Sequence, residues 1–248
     1  MENALLVGLS RQVVLRRQMD VLANNLANMN TPGYKSGTLL FEKHLMPVAQ
    51  MNGLTGQDKD VAFVLDSSVY RSFEEGAFEK TGNEFDVAIS GDGWLTVETD
   101  DGERYTRNGQ LKLNADGQLV TPDGHPVLGE GGPITFTSGE NGVEIAYDGT
   151  ISTTQGAKDR LRVVRFENNA LLKKQGETLF ATDQQPEPAD DSVRIVQGVI
   201  EKSNVQPISE LTRMIETVRA YTAMAQTLNQ AQDLRRDAID QLGTPPSA

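Results

Sequence analysis

Apolar residues spaced alternately three and four apart at both ends of this 248-residue chain constrain its fold more than any other feature. Leu5, Gly8, Gln12, Leu15, Met19, Leu22, Leu26 and Met29 fall on one stripe of a helix predicted over 5–29. Val7, Val14 and Val21 line a flank, and Leu9, Val13, Ala23 and Ala27 occupy much of the far side. A helix apolar over so much of its circumference is normally buried among several neighbours. Asn28, Asn30, Thr31, Pro32 and Gly33 end it with residues that favour turns. Toward the other end, Leu211, Met214, Val218, Tyr221, Ala225 and Leu228 repeat the spacing in a helix predicted over 208–242. Pro207 suits its first turn, Ser203, Asn204 and Ser209 are plausible caps, and Gly243 with Pro245 and Pro246 stops it. Isolated amphipathic helices are marginal in water. The terminal segments are therefore expected to be largely disordered in a free monomer and to fold when neighbouring copies cover their apolar faces.

Between these segments the pattern changes to short β-branched or aromatic runs, at 60–66, 68–73, 85–90, 94–99, 104–107, 118–121, 160–166 and 193–196, each read as a strand. Asp-Gly at 92, 101, 116, 123 and 148, with Asn-Gly at 108 and 141, suits tight hairpins. Residues 184–191 read as an exposed loop and 39–56 as an irregular connector. The expected fold class is α+β, with a discontinuous terminal α-helical coiled-coil domain and a central, mainly antiparallel β domain. Residues 1–35 supply the N-terminal helix, 36–75 a connector and first strands, 76–202 the β domain and 203–248 the C-terminal helix.

Charge divides along the same lines. The net charge is minus 12, of which residues 36–202 hold minus 13, while residues 1–35 carry plus 2 and 203–242 minus 1. Nearly neutral ends suit close packing against copies of themselves, and an acidic middle lacks the clustered Lys and Arg that a nucleic-acid surface needs. Cysteine is absent, which excludes disulfides and thiolate metal sites. No run reaches the length of a membrane span, and Met1-Glu2-Asn3-Ala4-Leu5-Leu6-Val7 lacks the basic region of a cleaved secretory signal.

Catalytic constellations are sparse. His44 and His125 are far apart and have no helical partner, so no metal site is expected. Pro122-Asp123-Gly124-His125-Pro126 reads as a turn. Glu84 or Asp86 with Asp92 offers a glycosidase-like acid pair by count alone, but carboxylates beside Asp-Gly are ordinary hairpin residues. Asn114, Asp116 and Gly117 resemble half of a calcium loop without its first ligand or closing Glu, and Gly129-Glu130-Gly131-Gly132-Pro133 lacks the Lys and hydroxyl of a phosphate loop. Trp94, Phe73, Phe78, Phe85 and Tyr105 are expected in the β core. No cofactor is implied.

With those residues laid out, the chain resembles the bacterial flagellar rod and hook family. Asn24-Asn25-Leu26-Ala27-Asn28-Met29-Asn30-Thr31-Pro32-Gly33-Tyr34-Lys35 is similar to that family's N-terminal signature. The middle agrees through Lys80-Thr81-Gly82, Phe85 to Ile89, Gly91-Asp92-Gly93-Trp94 and Tyr105-Thr106-Arg107-Asn108-Gly109. Ser203-Asn204-Val205, Met214-Ile215 and Arg219-Ala220-Tyr221 complete the likeness, with Glu210-Leu211 where many members show Glu-Met. The length argues against the longer hook type, and Gly93-Trp94-Leu95 favours a proximal-rod over a distal-rod type.

The resemblance implies a non-catalytic subunit of the periplasm-spanning drive shaft in the basal body. It implies export by the flagellar type III apparatus without a cleaved signal peptide, and helical polymerisation with copies of itself and other rod proteins. Nucleic acid and membrane insertion are not expected. The implied assembly interface is Leu5, Leu15, Met19, Leu22, Leu26 and Met29 on the first helix. On the C-terminal side it is Ser203, Asn204, Val205, Leu211, Met214, Ile215, Val218, Tyr221, Ala225 and Leu228. A secreted carbohydrate-active β protein with oligomerising ends is the alternative from another class.

Overall fold

The computed structural model describes residues 2–46, 61–190 and 192–243, with side chains of 2–5, 41–46, 61–67 and 241–243 left aside. The chain is α+β and divides into two compact units. One comprises residues 1–26, 37–70 and 207–248; the other comprises 27–36 and 71–206.

The first unit is built on two long helices, α1 (Glu2–Ala27) and α2 (Pro207–Gly243). Pro207 opens α2, where a missing N–H costs nothing, and Glu210 in the first turn meets the positive end of the helix dipole. Gly8 of α1 lies so close to α2 that an added Cβ would come within 2.7 Å of the Leu228 side chain and 3.5 Å of the Met224 sulfur. At the other end of α1, Asn25 bonds to Glu210. The helices therefore run antiparallel over roughly 25 Å, at ~1.5 Å per residue. Along α2 the hydroxyls of Thr212, Thr217, Thr222 and Thr227 donate to carbonyls four residues back, so these polar groups are satisfied within the helix.

A two-stranded sheet of Gly37–Met46 and Val61–Arg71 completes this unit. It corrects two expectations. The stretch expected to be an irregular connector is strand through Met46, with Gly37 and Leu39 buried and Thr38 and Leu40 exposed in the alternation of a half-buried strand. Pairing with a distant segment supplies what its composition does not advertise, and residues 47–56 of that expectation lie outside the described residues. The separate strands expected at 60–66 and 68–73 are one strand.

The second unit is a β domain around a six-stranded antiparallel sheet. Its order is Lys173–Gln175, Leu179–Ala181, Gly102–Thr106, Trp94–Thr99, Val163–Arg165 and Glu187–Pro188. The strand Trp94–Thr99 lies in the middle of the sheet and is buried on both faces. Leu95 and Val97 enter one core with Val87, Ile89, Leu119, Ile151 and Ile195; Trp94 enters a second with Tyr105, Phe166 and Phe180. Trp94 meets Phe180 at 5.0 Å and Phe73 at 5.6 Å edge to face, an arrangement that aligns ring edges with ring faces. Smaller two- and three-stranded pairings flank this sheet, including Arg194–Gln197 with Val87–Ser90 and Val199–Glu201 with Phe78–Lys80.

Three expectations are corrected here. The loop expected at 184–191 contains the strand Glu187–Pro188, which tolerates proline because it forms the outer edge of the sheet. Asp92-Gly93 closes no hairpin, since the strand before it pairs with Arg194–Gln197 while the strand after it enters the six-stranded sheet. Phe78 is 45% exposed rather than in the core, because its short strand pairs only with Val199–Glu201. The expected turns at Asn114 to Gly117 and Thr121 to His125 are present. Asn114 Oδ1 accepts from the amides of Asp116 and Gln118, and Thr121 exchanges backbone bonds with Gly124 and His125.

Candidate functional site

The N-terminal signature and the C-terminal Ser203-Asn204-Val205 motif meet in the β unit, around a buried charge cluster. After α1 the chain turns through Asn28 to Thr31, and the Thr31 hydroxyl donates to Asn28 Oδ1. Gly33 then takes a left-handed φ of +68°, and its amide donates to the Glu201 carbonyl at 2.8 Å. A side chain there would collide with the backbone of Arg107 and Asn108, so the position demands glycine on two grounds. Tyr34 and Lys35 follow, both 1% exposed.

The Lys35 ammonium donates to Glu201 Oε1 at 2.7 Å and to the Glu74 carbonyl at 2.6 Å. The Gly76 amide donates to the same Oε1 at 2.9 Å. Arg107 approaches Glu201 Oε2 at 3.5 Å, donates to the carbonyls of Ile89 and Gly91, and stacks its guanidinium 5.4 Å from the centre of the Trp94 ring. Lys35, Arg107 and Glu201 are each at least 97% buried, so two cations share one carboxylate out of contact with water. Burial pushes the Lys35 ammonium and the Arg107 guanidinium down from their ordinary values, and Glu201 opposes both shifts.

Asn204 completes the clasp. Its Oδ1 accepts from the Ser36 amide at 2.8 Å, and its Nδ2 donates to the carbonyls of Ser72 and Glu74. Val205 is buried, and its amide donates to the Ser203 hydroxyl. The motif expected at an assembly interface thus has partners within its own chain: Asn204 through its bonds, Val205 through burial.

Lys174 caps Tyr34, its ammonium 4.4 Å from the ring centre. Burial and the repulsion of Arg71 push this lysine down to about 8, against the attraction of Glu177. The unfolded chain, with an ordinary lysine, binds more protons than the folded one between pH about 8 and 10.5. Stability should therefore rise with pH across that window and level off above it. Lys174→Met should remove this contribution, and denaturant melts of the two proteins across those pH values check it.

In the helical unit, Asn25 is the signature residue with the largest structural role. Its Nδ2 donates to the Gly37 carbonyl at 2.8 Å and to Glu210 Oε2 at 2.9 Å, while its Oδ1 accepts from the Gly37 amide at 3.0 Å. Asn25→Ala should cost this unit about 2–3 kcal/mol, because buried polar partners lose their bonds. Asn25→Asp should cost more by setting a second carboxylate against Glu210. Denaturation followed by far-UV circular dichroism measures both.

The remaining predicted site residues divide between covered and open faces. Leu22, Asn28 and Tyr34 are buried; Leu15, Met19, Leu26, Met29, Thr31 and Pro32 are half-buried; Asn24, Ala27 and Asn30 are exposed; the Leu5 side chain lies outside the described residues. On α2 the inward face is Glu210, Met214, Thr217, Tyr221, Met224 and Leu228, so the seam expected at Leu211 and Val218 is rotated outward. The two frames share Met214, Tyr221 and Leu228, and the Asn25 to Glu210 bond selects between them. Sequence reading missed Glu201, Arg107 as a buried cation and the role of Glu210. The one available signal was a Lys at the end of an otherwise uncharged signature.

Among the described residues no group of three or more His, Asp or Glu is placed to hold a metal ion, and no helix is long and apolar enough to cross a membrane. Of the acids weighed as a catalytic pair, Asp86 accepts from Thr81 and Asn83 and Asp92 accepts from Asn169. An α+β chain whose signature residues close a backbone clasp, and whose paired helices keep apolar stripes uncovered, has the design of a structural subunit.

Comparison with known proteins agrees. Residues 5–35 match the model described as flagella basal body rod protein, 88–153 the flagellar hook protein FlgE/F/G D1 domain, and 196–241 the flagellar basal body rod FlgEFG protein C-terminal. The chain is similar to the flagellar basal-body rod protein FlgF of Caulobacter vibrioides, at 40% identity over 98% of this chain and 99% of that one. It is also similar to FlgF of Salmonella typhimurium (35%, covering 89% and 90%) and of Mesorhizobium japonicum (34%, covering 98% and 99%). The chain belongs to the flagellar basal-body rod protein family and is a structural subunit of the rod.

Proposed function

We propose that this subunit polymerises helically through α1 and α2, forming part of the proximal segment of the torque-transmitting shaft and working without catalysis. The observation that carries the proposal is the pair of uncovered apolar stripes in the helical unit. Leu6, Leu9 and Val13 on α1, and Ile208, Leu211, Ile215 and Val218 on α2, are 42% to 83% exposed. Apolar stripes of this length are rare on a free surface and mark contact with another protein. Neighbouring copies and other rod proteins would cover them, packing α1 and α2 into a coiled-coil-like inner tube. A heterologous contact that does not close on itself extends into a helical array.

In this reading the helical unit (1–26, 37–70 and 207–248) carries the assembly contacts, and the β unit sets the spacing of subunits along the shaft. The interface lies on Ile208, Leu211, Ile215, Val218 and Ala225 of α2. On α1 it lies on Leu6, Leu9 and Val13; the half-buried Leu15, Met19 and Leu26, with Met29 just beyond the helix, lie on the other side with Gly8 and Leu22, the stripe to which Leu5 belongs by sequence. Gly93-Trp94-Leu95, together with 40% identity to a relative named FlgF against 31% to relatives named FlgG, supports the proximal type. Export by the flagellar type III apparatus without cleavage, to a shaft that spans the periplasm, follows from that role.

Ile215→Asp tests the interface without disturbing the fold, since its side chain is already 53% exposed. A carboxylate carried into a dry contact costs several kcal/mol, so the variant should fold as the parent does and fail to enter rods. Normal rods assembled from Ile215→Asp in a strain lacking the parent protein would refute the stripe assignment.

A further inference from the structure

The β domain holds two Asn-Gly pairs in very different surroundings. Asn108 is 5% exposed, its Oδ1 accepts from the Gln110 amide at 3.0 Å, and Gly109 packs against the Val87 carbonyl so closely that an added Cβ would overlap it. Asn141 and Gly142 are both exposed, in the loop between Thr137 and the strand Glu144–Ile145. The Asn141 side chain and the Gly142 amide have no hydrogen-bond partner among the described residues, and Gly142 takes a φ of +65°, where an added Cβ would meet only the Thr154 methyl within 4 Å. A third pair, Asn52-Gly53, lies outside the described residues.

We infer that Asn141 is a site of spontaneous deamidation, while the fold protects Asn108. The chemistry needs only water. The Gly142 nitrogen attacks the Asn141 side-chain carbonyl carbon, forming a carbon–nitrogen bond; the side-chain amide leaves as ammonia, carrying the proton lost from Gly142. Water then opens the cyclic imide at either carbonyl, leaving aspartate or isoaspartate. Glycine at 142 admits this because it carries no side chain to shield its nitrogen. An exposed, unbonded side chain is free to sample the attacking geometry, whereas a buried, hydrogen-bonded one is not.

The product has a local consequence. The Asn141 carbonyl accepts from the Thr154 amide at 3.2 Å, tying the loop to the hairpin of Thr150–Thr153 and Gly156–Arg160. Isoaspartate reroutes the main chain through an extra methylene and displaces that carbonyl. Either product places a new carboxylate beside Glu140, which already holds Lys158 at 2.7 Å.

Incubation of the full chain in mildly alkaline buffer, folded and in concentrated urea, tests this by peptide mapping with mass spectrometry. In the folded chain Asn141 should convert at least about tenfold faster than Asn108, which must open locally before it can react, while in urea the two should convert at similar rates. Asn141→Gln should abolish the fast conversion, leaving Asn108 unchanged. Equal rates at the two positions in the folded chain, or an Asn141 slower in the fold than Asn108, would overturn the inference.

Discussion

Glu201→Ala should unfold the β domain at temperatures the parent protein tolerates. Among the described residues the Glu201 carboxylate is the only one paired with the Lys35 ammonium and the Arg107 guanidinium, and all three groups are out of water. Its removal leaves two buried cations facing each other with only backbone carbonyls to hold them. Breaking a buried pair in this way costs about 3–5 kcal/mol. For a domain of this size the melting temperature should fall by on the order of 10 °C. Glu201→Gln separates charge from shape. It keeps the volume and an acceptor for Lys35 and Gly76, yet cancels no charge, so it should lose most of the same stability if the cluster is electrostatic. A Glu201→Gln protein as stable as the parent would show that Glu201 acts by packing and hydrogen bonding alone. Because the clasp aligns Gly33 through Ser36, both variants should also reduce rod incorporation.

Gly33→Ala should be the second most damaging change, and a control within the same domain divides its cost into two parts. Gly82 has nearly the same backbone, φ +75° against +68°, but a Cβ added there meets nothing within 4 Å. Gly82→Ala therefore reports the left-handed conformation alone, about 1 kcal/mol. At Gly33 the new carbon falls on the backbone of Arg107 and Asn108, which cannot swing aside as a side chain would. Overpacking of that kind adds about 1–3 kcal/mol, so Gly33→Ala should exceed Gly82→Ala by roughly 2 kcal/mol in urea denaturation. Equal losses would mean that the approach of the signature turn to Arg107 is looser than the structure describes.

The residues that carry these two predictions differ in how visible they are in the sequence. Gly33 is conspicuous, standing after Thr31 and Pro32 at the end of a periodic helix, and its need for a positive φ is a local property. Glu201 is not. It joins Lys35 across 166 residues of chain, and nothing in its own neighbourhood sets it apart from an ordinary surface charge. Periodicity located α1 and α2 to within a few residues, because a helix leaves its signal in neighbours three and four apart. Their rotation was another matter. Spacing placed Leu211 and Val218 on the α2 seam, whereas in the structure both are turned outward and Glu210, bonded to Asn25, faces inward.

The strand Trp94–Thr99 was legible for the same reason as the helices: a run of β-branched and aromatic residues bounded by turns. Gly37–Met46 was not, since its pairing partner lies beyond an intervening stretch and its own composition suits a loop as well as a strand. Sequence alone settled the α+β division, the helices, most turns and the glycine that reverses the chain after the signature, because each depends on conformational preferences and spacing within a few residues. Tertiary structure decided which charges are buried, which face of α2 is open and where the two signature motifs meet. Burial and pairing are properties of segments far apart in the chain, and no local pattern records which distant residue will arrive.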